Sequence, residues 1–214
     1  MRPFIRRAAA LLLFTPILGF AVRDGLVTIE PEMAKRFGKL LSDEADKIEK
    51  PQVKIMADPD KANGVHAPEK VGTLIVPQKN LQFSEELAAK FKEEKGAPIA
   101  YLFLYHLSPV IDGKLSDANR LREVKFADEN GQQHTVHVVL LSVRQLSDDD
   151  YRLYVWGHGD KPLVEGKFSE GTGPGPEPTA VEVKDLNDQT QQGKLVVTVF
   201  GKYQAGFQVG YRAD

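Results

Sequence analysis

Between Val136 and Val143 the chain reads Val-His-Val-Val-Leu-Leu-Ser-Val, and this stretch limits the fold more than any other. In an extended strand, Val136, Val138 and Leu140 point to one side, while His137, Val139 and Leu141 point to the other. A strand with one wet face alternates apolar and polar residues; this one is apolar on both faces, as strands buried on both sides are. The segment 133–143 is therefore expected at the centre of its sheet.

Its neighbours in sequence supply partners. Glu123 to Ala127 should pair with it through Asp128-Glu129-Asn130-Gly131, a turn built on Asn-Gly. Ser147-Asp148-Asp149-Asp150 turns the chain into a strand from Tyr151 to Trp156, and Gly157-His158-Gly159-Asp160 leads on to another from Leu163 to Phe168. Pro98 to Leu107 and Gly72 to Val76 also read as strands. Leu195 to Phe200 and Tyr203 to Tyr211 flank Gly201-Lys202, which suits a two-residue hairpin with glycine first. The run from Gly171 to Pro178 alternates glycine and proline and serves only as a bridge between strands or sheets.

Two segments carry the helical period instead. Pro31 to Lys50 places Met33, Phe37, Leu40, Leu41 and Ile48 on one stripe, with Pro31 in the first turn and Pro51 as the stop. Ser84 to Lys95 has Ser84 as N-cap, Leu87, Ala88 and Phe91 facing inward, and Gly96 at its end. Residues 51–71 read as a loop or linker. About eight short strands with no strand–helix alternation predict a mostly β fold with two short peripheral helices, an antiparallel β-sandwich or open barrel.

The N-terminus carries an address. Met1 to Arg7 is basic, Ala8 to Phe20 is apolar, and Gly19-Phe20-Ala21 puts small residues at the two positions a signal peptidase reads. The apolar run ends at Arg23 and Asp24 before reaching the length of about 20 residues that a spanning helix needs. The expected organisation is a signal peptide over 1–21, an N-terminal helix and linker over 22–71, and a β-rich domain over 72–214. The location is then periplasmic or secreted, and membrane contact follows only if the signal stays uncleaved. The chain has no cysteine, so disulfides, thiolate metal sites and a cysteine nucleophile are excluded. Its formal charge of −2 becomes more negative once Arg2, Arg6 and Arg7 are removed, which leaves no basic footprint for nucleic acid.

Candidate chemistry is sparse. Of the five histidines, His66, His106, His134, His137 and His158, the pair His134 and His137 falls on opposite strand faces and cannot chelate one ion without a bulge between them, so a site needs His106 or His158 from a neighbouring strand or loop. Asp58, Asp60 and Glu69 occupy the first, third and twelfth positions of a calcium-loop pattern, but Ala62 stands at the fifth and the glycine comes one place late, so a polar loop is expected. No metal or other cofactor is expected. Gly-x-Ser-x-Gly, Ser-x-x-Lys and His-Glu-x-x-His are all absent. If a site assembles in three dimensions, His106, His137, His158 and Asp160 are the residues to inspect. A second candidate is an aromatic platform: Tyr101, Phe103 and Tyr105 share one strand face, and Tyr154 and Trp156, near Tyr151, share another.

These features lead to the expectation of an exported, non-catalytic β-sandwich module that binds or scaffolds an envelope or secreted protein or glycan. The alternative is a secreted hydrolase whose site forms only on folding. A third arrangement keeps the signal as a tether and uses helix 31–50 as a spacer.

Overall fold

The structure is a computed structural model and describes residues 26–67, 71–127, 131–173, 177–187 and 189–213. The expected signal sequence, residues 128–130 of the Asn-Gly turn, Glu69 of the acidic loop and residues 174–176 of the glycine–proline run lie outside the described residues.

In order, the chain forms strand β1 (Val27–Thr28), helix α1 (Pro31–Ala45), strands β2 (Asn63–Ala67) and β3 (Val71–Pro77), and helix α2 (Glu85–Phe91). Strands β4 (Ala97–Tyr105), β5 (Leu107–Ile111), β6 (Lys114–Leu115), β7 (Arg122–Ala127), β8 (Gln133–Ser147) and β9 (Asp150–Trp156) follow. The last are β10 (Val164–Lys167), β11 (Ser169–Glu170), β12 (Thr179–Asn187), β13 (Gln192–Val199) and β14 (Tyr203–Tyr211). They make two antiparallel sheets. The first runs β1-β2-β3-β4-β8-β9-β10 with β7 also on β8, and the second runs β12-β13-β14-β5-β6 with β11 on β14. The sheets do not close into a barrel, and the fold is mostly β and sandwich-like, as the strand pattern predicts.

Strand β8 is central. β4 lies along one edge, from Leu104 opposite His137 to Ala97 opposite Val143. The other edge is shared: β7 takes Gln133 to Val138, and β9 takes Leu140 to Ser147. Val138, Val139, Leu140 and Leu141 are wholly buried. Val139, Leu141 and Val143 pack between the sheets with Leu195, Val197 and Phe207 of the second sheet. Val136, Val138 and Leu140 face outward and are covered by Leu41 and Ala45 of α1 and by Val53 and Ile55 beyond it. The molecule thus has three layers, a helix and two sheets, with a core on each side of the first sheet. The chain crosses to the second sheet at His106, between β4 and β5, returns between β6 and β7, and crosses again at Phe168, between β10 and β11.

Several details depart from the sequence pattern; the strand expected from Pro98 to Leu107, for one, breaks at His106 into β4 and β5 of different sheets. Helix α1 ends at Ala45, and its inward residues are Ala34, Gly38, Leu41, Ser42 and Ala45, while Met33 and Leu40 are exposed. The reason is closeness: a Cβ added at Gly38 would stand 2.7 Å from Ala62 Cβ and 3.4 Å from Val76 Cγ2. A helix this near the sheet must turn its small residues inward, whatever its large apolar residues favour. Within the expected linker, β2 pairs with β3 from Asn63 opposite Ile75 to Ala67 opposite Val71. Finally, Val199 pairs with Tyr203, so the last hairpin turns through three residues, with Phe200 and Gly201 at φ of 54° and 66°. The second helix starts as expected, with Ser84 Oγ accepting the Leu87 N–H at 3.1 Å, but it ends at Phe91 rather than running to Lys95; Gly96, with φ of 71°, lies in the turn before β4.

Gly38→Leu should push α1 away from the sheet and cost about 2 kcal/mol of stability, whereas Leu40→Ser should stay within about 0.5 kcal/mol. Urea unfolding of the two variants measures this; equal effects would contradict the packing of α1 through its small face.

Candidate functional site

The four residues inspected for a converging site take separate structural posts. His106 sits at the crossing from β4 to β5 with φ of 50°; its carbonyl accepts the Arg212 N–H at 3.0 Å, and its ring lies 4.1 Å from Tyr105 and 6.1 Å from Tyr211. His137 is buried in β8 opposite Leu104 and Glu123, with Nε2 3.6 Å from Glu123 Oε1. His158 and Asp160 are exposed in the loop after β9. Among the described residues, no three or more histidine, aspartate or glutamate side chains gather as a metal site requires. Asp60, first seen as part of an acidic loop, pairs with Lys35 of α1 at 2.7 Å.

The loop holding His158 is fastened through its backbone. Gln52 Nε2 donates to the carbonyls of His158 and Gly159 at 3.1 and 2.8 Å, and the His158 N–H donates to the Arg120 carbonyl at 2.9 Å. Buried Arg122 completes the fastening. It donates to the carbonyls of Gly157, Glu49 and Lys50 and to Gln52 Oε1, at 3.0 to 3.3 Å. Burial pulls its guanidinium below the ordinary arginine value, and the ring of oxygens replaces the lost water. This cluster closes the junction where β7 gives way to β9 along β8. Gly157 belongs to it by necessity, since a Cβ there would meet the Arg120 carbonyl oxygen at 2.1 Å.

The aromatic rows share one face, as their spacing predicts. Tyr101, Phe103, Tyr154 and Trp156 all project from the outer side of the first sheet, with β8 between the two rows, into the core beneath α1. All four are 5 % exposed or less. Trp156 Nε1 donates to Ser142 Oγ at 2.8 Å, which donates in turn to the Lys95 carbonyl at 2.6 Å. The Tyr101 hydroxyl donates to Asp46 Oδ1 at 3.0 Å; burial first, and then this bond, holds the phenol well above its usual pKa. Half-buried Tyr105 instead borders an apolar groove of about 400 Å³ beside α1, together with Phe37, Phe126 and His134.

A different aromatic cluster forms a cleft between the two sheets. Six rings, of Phe83, Phe91, Tyr151, Phe168, Phe200 and Tyr203, line a cavity of about 390 Å³. They come from four places: the α2 region, the β8–β9 hairpin, the crossing from β10 to β11, and the β13–β14 hairpin. Phe83 meets Phe200 edge to face at 6.1 Å, and Phe91 meets Tyr151 the same way at 6.0 Å. Phe83 is 68 % exposed although it belongs to this cluster, whereas Phe91 is 2 % exposed and forms the floor. Phe200 adopts a left-handed backbone that bulky residues rarely take, so the fold holds this ring at the cleft against a local cost. Asp148, Asp149, Ser169 and Glu170 give the cleft a polar, acidic margin. Glu170 is paired with Lys202 at 3.2 Å, while Asp148 and Asp149 form no ion pair among the described residues.

This cleft has the features of a small-ligand site: it is concave and apolar, and it carries a few polar groups at its edge. Sequence reading passed over it because its rings stand far apart along the chain. One signal was present: Phe83 and Phe200 lie beside turns, where an aromatic ring is not needed to fill a strand's buried face. Comparison of the chain with protein-family models, with curated proteins and with solved structures finds no match.

Phe91→Ala should cost about 3–5 kcal/mol, as the loss of a fully packed aromatic does, while Phe83→Ala should cost less than about 1 kcal/mol. Chemical unfolding of both variants decides whether Phe83 serves the core or the cleft opening.

Proposed function

We propose that the chain is an exported, non-catalytic β-sandwich module that binds a component of the envelope or of the secreted surroundings in the aromatic cleft. The observation that carries this reading is the exposed Phe83 ring held over a preformed apolar cavity, because an aromatic surface left open to water at a concave site is unusual unless something covers it. The signature at residues 1–21 supports export. Support for the non-catalytic half comes from the cleft's own chemistry. Among the described residues its lining includes the hydroxyl of Ser169 but no histidine to act as its base.

A screen of small organic compounds and short glycans against the mature, isotope-labelled protein tests the proposal. Ligands should shift the backbone NMR signals of residues 148–151, 168–170 and 200–203. Shifts confined to the groove beside α1 would move the site elsewhere. Turnover of any compound, abolished by Asp148→Asn, would replace the binding module with a hydrolase.

A further inference from the structure

We infer that the ligand of the cleft is a small organic cation with an apolar body, a quaternary or alkylated ammonium. This inference rests on the cleft being the binding site and adds the chemical class of its occupant.

Two independent features of the cleft point to a cation. The first is the charge of its margin. Asp148 and Asp149 lie side by side at the β8–β9 turn, both border the cavity, and neither has an ion-pair partner among the described residues. Neighbouring Asp150 is already taken by Arg152, through bonds of 2.7 and 2.9 Å, so the turn separates one spent carboxylate from two that remain open. The second feature is a cation already held at this margin. Lys202 Nζ stands 5.3 Å from the centre of the Tyr203 ring and 3.2 Å from Glu170 Oε1. An aromatic face and a carboxylate together therefore hold an ammonium at one side of the cleft. Phe83 and Phe200 line the same cavity as Asp148 and Asp149.

The physical basis is the combination of two attractions. The negative face of an aromatic ring draws a cation within about 6 Å, most strongly where water is excluded. The carboxylates add a longer-range pull that salt weakens. An alkylated ammonium suits the cavity better than a bare one: its methyl groups cover the apolar rings, and its weak hydration makes it easier to bring out of water. A neutral ligand would gain nothing from the two exposed aspartates, and an anion would be repelled by them.

Choline and its neutral isostere 3,3-dimethylbutan-1-ol have the same shape and differ in charge. Titrated into the full mature protein, choline should move the signals of residues 148–151 and 200–203 and bind about tenfold more tightly than the alcohol. Raising the salt concentration should narrow that gap. The double variant Asp148→Asn, Asp149→Asn keeps turn-forming side chains; it should bring choline's affinity down about tenfold and leave the alcohol's unchanged. Phe83→Ala should weaken both compounds. Phosphatidylcholine vesicles form a second arm: cosedimentation identifies the cation as a lipid headgroup, and its absence, with choline bound, identifies a soluble ligand. Equal affinity for choline and the alcohol overturns the cationic inference but leaves the cleft as the site. If neither compound moves the cleft signals, the inference also falls, and the broader ligand screen then decides whether the cleft reading falls with it.

Discussion

Strand β8 takes apolar side chains out of water on both of its faces, and most of the architecture follows from the need to cover both. Each of its fully buried side chains is worth about 1.5–3 kcal/mol, a large share of the roughly 5–15 kcal/mol that separates a folded domain from its unfolded chain. The second sheet covers Val139, Leu141 and Val143; α1 and residues 46–57 cover Val136, Val138 and Leu140. Its edges are closed as well, one by β4 and the other by β7 and β9 in succession. The junction where β7 yields to β9 is filled by the buried Arg122 and its ring of carbonyls. Those oxygens hydrogen-bond the guanidinium in place of water, which offsets the cost of burying its charge.

Covering both faces also decides where recognition is possible. The large aromatic rows of β4 and β9 look outward from the first sheet, but α1 converts that face into core. Apart from the groove beside α1, an opening remains where two hairpins from different sheets meet and neither sheet covers the other's turn. There the rings of Phe83, Phe200 and Tyr203 remain accessible beside carboxylates. The fold thus moves its binding chemistry from a flat strand surface to a cleft between hairpins, and loops on a rigid scaffold commonly carry function for this reason.

The sequence made the sheet centre legible and the site illegible, for separable physical reasons. Period-two alternation is local, so the double-faced run at 136–143, the β7–β8 pairing and the half-buried strand ending at Tyr211 could all be read directly. Helix α1 was readable as a helix but not in its orientation, because Ala34, Gly38 and Ala45 signal little hydrophobicity and are chosen for closeness to Ala62 and Val76. Strand β2 was hidden because Asn63, Gly64 and His66 lack strand propensity and are held by pairing with β3. The cleft depends on contacts between residues more than a hundred positions apart, such as Phe83 with Phe200, and no local pattern encodes them. The same long-range packing determines that Tyr101, Phe103, Tyr154 and Trp156 are core.

That last assignment separates an open platform from a covered sheet, and the single tryptophan of the chain reports on it. Trp156 is 2 % exposed, with its indole N–H bonded to Ser142. Fluorescence of the mature protein in acrylamide is the direct measurement. Emission shifted to the blue and weakly quenched is expected if the outer face around Trp156 is covered as core. Emission like that of free indole, quenched readily, would mean that the face is open and would contradict the account.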